Sequence, residues 1–214
     1  RHNGFDVDTL VIVTSDHGIE FSGGKKTLSD QGIQVMLLVR GPEGSGFTGG
    51  KVVEPLVTHL DLYPTLMELC GLQPEHTLRG KSLLPLVREE VSSLHDYVFT
   101  EQTYHGPREA MRSARSERYK YIRRESPVAN QMHHDGPTCD VMESFGWYHR
   151  ETGQEEFYDL YLDPMEACNR INEPALKSEI ARHAAALDAW MKETQDPFPE
   201  GEFPEPPGRR SYEG

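Results

Sequence analysis

Two apolar runs constrain the fold of this chain more than any other feature. "TLVIVTSD" (residues 9–16) and "GIQVMLLVRGP" (residues 32–42) each set four or more apolar residues in succession before polar or turn residues. A half-buried strand alternates apolar and polar positions. A run without alternation suits a strand covered on both faces, as in a parallel sheet flanked by helices. The Gly41-Pro42 pair closes the second run. A helix is expected over "VTHLDLYPTLMELCG", with Asp61 as its N-cap, Pro64 in its first turn and Gly71 ending it. Leu62, Leu66, Leu69 and Cys70 would share one face. Residues 1–90 thus read as an α/β unit.

The pattern changes beyond residue 90. "YVFTEQ", "AMRSARS", "RYKYIRR" and "EEFYDLYL" are short strand candidates separated by turn signals, which predicts a small antiparallel sheet. "EPALKSEIARHAAALDAWMKET" predicts an amphipathic helix with Leu176, Ile180, Leu187 and Trp190 or Met191 on one face, stopping before Asp196-Pro197. Residues 127–153 are polar, lack a period, and read as a long surface loop. Three regions follow: an α/β part (1–90), an α+β subdomain (91–195) and a tail (196–214) rich in proline and acids.

Composition narrows the function. The 214 residues carry a formal charge of −13, and so acidic a surface argues against non-specific nucleic-acid binding. No run of eighteen apolar residues occurs, so no membrane span is expected. Cys70, Cys139 and Cys168 are an odd, dispersed set with neither a disulfide framework nor a zinc-ribbon spacing. The N-terminus "RHNGFDVD" lacks both an initiator Met and an apolar leader core, so the chain reads as starting within a longer protein.

The chemistry gathers in "TSDHGIEFSGGKKTL" (residues 14–28), directly after the first apolar run. At the C-terminal end of a strand the chain turns, and Asp16 and His17 can then enter one crevice, where open α/β sheets bind ligands. A carboxylate and an imidazole suit a divalent cation, and a capped polar turn is the competing reading. Gly18 permits the turn, and Lys25 after a glycine pair offers a positive charge for an anion. His133-His134-Asp135 reads as a solvated loop, because consecutive residues rarely share one ion.

"TLVIVTSDHG", "GGKKTLSDQGIQVMLLVRGP", "HLDLYPTLMELCGL" and "GKSLLPLV", in that order, resemble the C-terminal half of the sulfatase family, within the alkaline-phosphatase-like superfamily. "FTEQTYHGPREAMRSARSERYKYIR", "EFYDLYLDPMEACNRIN" and "LDAWMKETQDPF" extend the resemblance toward the sulfamidase-like members. The resemblance implies an α/β sandwich with a smaller C-terminal subdomain of antiparallel sheet plus helix. It implies Asp16 and His17 as ligands of a divalent cation, Ca2+ above all with Mg2+ as the rival, and Lys25 as the catalytic contact to the substrate's sulfate. Lys26 falls on a position usually small, and His105, Arg112 and Arg115 fall in a segment near the mouth of the site. The substrate implied is a sulfated carbohydrate or other small sulfated compound, as a sulfate ester or sulfamate. The family's nucleophile is a formylglycine made within a C/S-x-P/A-x-R motif. None of the three cysteines has that context, so the nucleophile is expected in a segment outside this chain. A phosphomonoester or phosphonate hydrolase of the same superfamily is the alternative, as is a non-catalytic homologue.

Overall fold

The structure is a computed structural model whose described residues are 4–21, 23–104, 108–125, 137–150 and 152–198. Among the described residues, six strands form two sheets: β1 (Val11–Thr14) with β2 (Leu37–Arg40), and β3 (Val98–Tyr104), β4 (Arg108–Arg115), β5 (Tyr119–Arg124) and β6 (Glu155–Asp159). The helices are α1 (Phe5–Asp8), α2 (Asp30–Ile33), α3 (Leu62–Leu69), α4 (Leu84–Val87), α5 (Pro137–Ser144) and α6 (Lys177–Thr194). No described helix is long and apolar enough to cross a membrane. All three cysteines are free.

The two apolar runs do form strands, but they pair antiparallel, with Val11 opposite Arg40 and Thr14 opposite Leu37. This corrects the expected parallel arrangement of these two runs. A parallel return needs a long crossover, usually a helix. Here the intervening segment doubles back on itself, with the Gly18 N–H donating to Gly32 O and the Ile19 N–H to Gln31 O, and α2 is a single turn. Val11, Val13 and Leu38 of the ribbon are exposed, while Ile12, Leu37 and Val39 are half-buried.

The helix over "LYPTLMEL" forms as α3, with a different start. Asp61 makes no side-chain bond as an N-cap. It ends a 3-10 turn (His59–Asp61) whose capping box it shares with Thr58. Fully buried, its carboxylate accepts from the Thr58 and Lys81 N–H groups and lies 2.9 Å from His95 Nε2. The side chain therefore ties three segments together. Leu66 and Cys70, expected on a covered face, are exposed, and Thr65 is the buried residue of α3.

The second sheet is an antiparallel meander in the order β3-β4-β5-β6. Both of its faces are covered, which explains why β4 buries six residues in succession. Side chains alternate across a strand, so Ala110, Ala114, Tyr121 and Phe157 face α6 and pack on Leu187 and Met191. Met111, Ile122 and Tyr158 point the opposite way, onto Leu28 and Ile33 of the first unit. Leu176, which ends a 3-10 turn just before α6, and Ile180, Leu187, Trp190 and Met191 of α6 reach the core as expected. The sequence pattern missed His183 among them, fully buried with Nε2 2.8 Å from Ser116 Oγ.

Two other expectations change. The stretch read as a loop contains α5 and a 3-10 turn (Trp147–His149), while 126–136 and 151 lie outside the described residues. Asp196 and Phe198, assigned to the tail, belong to the second unit: Phe198 is buried in its core and Asp196 pairs with Arg112.

Candidate anion and metal site

The chain leaves β1 at Thr14 and enters Asp16 and His17. The His17 N–H donates to Asp16 Oδ1 at 3.1 Å, and His17 Nε2 lies 3.7 Å from the same oxygen. His17 Nδ1 lies 2.9 Å from Gly18 O. A carbonyl only accepts, so in the neutral ring Nδ1 carries the proton and Nε2 presents a lone pair. The Asp16 carboxylate is 89% exposed and the His17 ring 34%. An imidazole nitrogen beside an open carboxylate fits a divalent cation as two of its ligands. Among the described residues no cluster of three or more His, Cys, Asp or Glu completes such a set.

After this pair the described residues 18–21 and 23–32 form a loop closed at its base. Its neck is backbone against backbone, and only glycine allows that approach. A Cβ on Gly18 would stand 2.0 Å from Gln31 O, and one on Gly32 would stand 2.3 Å from Gly24 O. The Lys25 N–H donates to Ile19 O at 2.8 Å, the Thr27 hydroxyl to Gly24 O at 2.7 Å and the Ser29 hydroxyl to Gly23 O at 2.5 Å. Lys25 is thus mounted on a braced turn, with its Nζ 3.0 Å from Glu20 Oε1. Lys26 follows with a left-handed φ of 72°.

Asp16, His17, Lys25 and Lys26 line one side of a crevice of about 340 Å3. Thr100, Glu101 and Gln102 of β3 line the other. The pair at the end of β1 and the lysine after the glycines therefore meet in one cleft. Sequence reasoning missed the β3 wall, which no local pattern links to the loop. It also missed His59, whose Nε2 lies 2.9 Å from Thr14 Oγ1 at the end of β1.

The other candidates lie elsewhere. His105 is outside the described residues, as are His133, His134 and Asp135. Arg112 is not among the residues that line the crevice, although it bonds the backbone of Gln102, which does. It shares the α6-facing side of β4 with Ala110 and Ala114. Its guanidinium is buried against Asp196 at 2.5 and 3.0 Å and donates to Gln102 O and Met111 O. Burial opposes the charge on Asp196, but the Arg112 hydrogen bonds outweigh it and hold that carboxyl below the usual range. Glu101 lies 3.6 Å from Arg112 Nε. Arg115 points to the opposite face and pairs with Asp30 at 2.9 Å.

The sulfatase family model matches residues 1–72. The chain is 30% identical over 196 residues to an ulvan-active sulfatase of Formosa agariphila, covering 88% of this chain and 38% of that protein. It is 29% identical over 226 residues to N-sulphoglucosamine sulphohydrolase of Homo sapiens, covering 92% and 44%. A putative sulfatase from Bacteroides thetaiotaomicron superposes with a TM-score of 0.68 at 26% identity, covering 92% of this chain and 39% of that one. The chain belongs to the sulfatase family. It spans about two fifths of the length of these sulfatases. The matches run through both units, so the antiparallel sheet and α6 are part of the shared fold along with the crevice loop.

Proposed function

We propose that the crevice is the anion- and cation-binding part of a sulfatase that cleaves sulfate esters or sulfamates of sulfated sugars. The observation that supports this most is the convergence of Asp16, His17 and Lys25 on one cleft. In this reading Asp16 and His17 hold a divalent cation, Ca2+ before Mg2+, which supplies charge neutralisation at the sulfuryl oxygens. Lys25 places its ammonium against the same group, on a turn that the loop's backbone bonds keep from reorganising. In the folded chain Glu20 occupies the ammonium, and the sulfate competes for it. Thr100, Glu101 and Gln102 face the sugar side of the cleft. The nucleophile, a formylglycine, comes from outside these 214 residues, so the isolated chain should release no sulfate.

The test uses the whole protein that carries this chain. Asp16→Ala should lower metal occupancy and sulfate release together, and unchanged values of both would remove the ligand assignment. A sulfated monosaccharide, an N-sulfated glucosamine and a phosphate monoester should be compared as substrates. Faster turnover of the phosphate monoester would replace the sulfatase reading with the phosphohydrolase one.

A further inference from the structure

Beneath the crevice loop lies a group of charges that the proposed chemistry does not use. Lys120 of β5 is fully buried, although lysine is almost never so placed without partners. Its ammonium donates to Leu28 O at 3.0 Å and forms ion pairs with Asp30 Oδ1 at 2.5 Å and Glu166 Oε1 at 2.8 Å. Glu166 reaches back with its other oxygen and accepts the Asp30 N–H at 2.6 Å. Asp30 also takes Arg115 at 2.9 Å. Two basic and two acidic side chains thus meet in a largely buried contact between the antiparallel sheet and residues 28–30.

These are the residues on which the loop stands. Leu28 lines the crevice with its chain and packs on Met111, Ile122 and Tyr158, while its carbonyl is held by Lys120. Asp30 opens α2, and Gln31 and Gly32 form one side of the loop's neck. Glu166 adopts a left-handed φ of 53°, a backbone state uncommon for glutamate, and in it reaches Lys120 and the Asp30 amide. The apolar contact alone would hold Leu28 and Ile33 against the sheet. It would not fix the rotation of the loop, because hydrophobic contact is non-directional. The charge-assisted hydrogen bonds from Lys120 to Leu28 O and from the Asp30 N–H to the Glu166 carboxylate are directional.

We propose that Lys120 is a positioning residue: with Asp30 and Glu166 it locks the base of the Lys25 loop to the antiparallel sheet and so sets where the Lys25 ammonium stands in the crevice. Its catalytic consequence rests on the reading of Lys25 as a sulfate contact, but the locking itself does not. A shift of about 1 Å at a group that must meet a transition state costs roughly 100-fold in rate.

Two experiments separate these layers. In the first, hydrogen exchange is followed in this chain with Lys120→Met. The amides of Ile19, Lys25, Thr27 and Gly32 should exchange at least tenfold faster while those of β4 and β6 keep their rates. Unchanged loop amides, or equal acceleration of loop and sheet, would overturn the proposal. In the second, kcat/KM for a sulfated sugar is measured in the whole protein for Lys120→Met, Lys25→Ala and the double variant. Lys120→Met should lower it by about 100-fold, with far less further loss when Lys25 is already alanine. Equal losses in both backgrounds would show that Lys120 does not act through Lys25. If Lys120→Met does not fold, Glu166→Gln, which keeps the volume and removes one charge, is read by the same two criteria. Should Lys25→Ala itself leave turnover intact, the sulfate reading fails while the exchange result still judges the lock.

Discussion

The two units of this chain differ in what holds them. In the second, a sheet is covered on both faces, and Ala114, Tyr121, Phe157 and Leu187 are fully buried. In the first, many large apolar side chains are exposed, among them Val7, Val13, Met36 and Leu38, and the crevice loop is held by backbone bonds across glycine-bearing turns. The proposed chemistry lies in the first unit and the rigidity in the second. A loop that presents charges to a ligand cannot bury them, so it takes its rigidity from a neighbour that can pack. Leu28, Ile33 and the Lys120 group are where that transfer occurs.

The contrast can be broken in order of expected size. Phe157→Ala should destabilise the chain by about 3–5 kcal/mol in denaturant titrations, because it empties a packed core. Asp196→Ala should cost a similar amount, roughly 3–5 kcal/mol, because it strands the buried Arg112 charge. A surface-sized change for either would mean that the second unit is not the rigid one.

A smaller effect should appear with pH. Burial among Tyr97, Tyr119 and Phe157 holds the His183 imidazole below its ordinary value of 6.5. The unfolded chain then binds the proton more readily than the folded one. The contribution of His183 is present above pH 6.5 and is lost as pH falls below it toward the folded value. Replacing it by glutamine should flatten the stability curve there, and an unchanged slope between wild type and variant would contradict this. The smallest effect is expected on the ribbon. Leu38→Ser should alter the stability of the isolated chain by no more than about 0.5 kcal/mol, because the side chain is already in water. A cost several times larger would show the ribbon face to be packed.

Legibility in the sequence followed the same divide. The four strands of the second sheet and α6 were readable because each carries its own period or turn signals. The two apolar runs were readable as strands, but nothing in such a run encodes its direction, and the closed loop between them decided for an antiparallel pair. Asp16, His17 and Lys25 were visible as a group because they lie within ten residues of one another. The wall made by Thr100, Glu101 and Gln102 was not, since it is some 75 residues further along the chain. The side of β4 that Arg112 occupies was not legible for a related reason: it depends on which face α6 covers. Nothing in the run "RYKYIRR" marks Lys120 as buried, because its partners come from residues 28–30 and 166.

The adjacent lysines offer the most direct test of the crevice as a sulfate site. Both line it, but Lys25 is tied through its own amide to the loop's neck, whereas Lys26 follows in a left-handed turn. The measurement is kcat/KM of the whole protein on a sulfated sugar, for Lys25→Ala and Lys26→Ala in parallel. Lys25→Ala should lose about 2–4 kcal/mol of transition-state stabilisation, as removal of a comparable preorganised donor does, and Lys26→Ala much less. Equal losses, or an unaffected Lys25→Ala, would contradict the assignment of Lys25 as the sulfate contact.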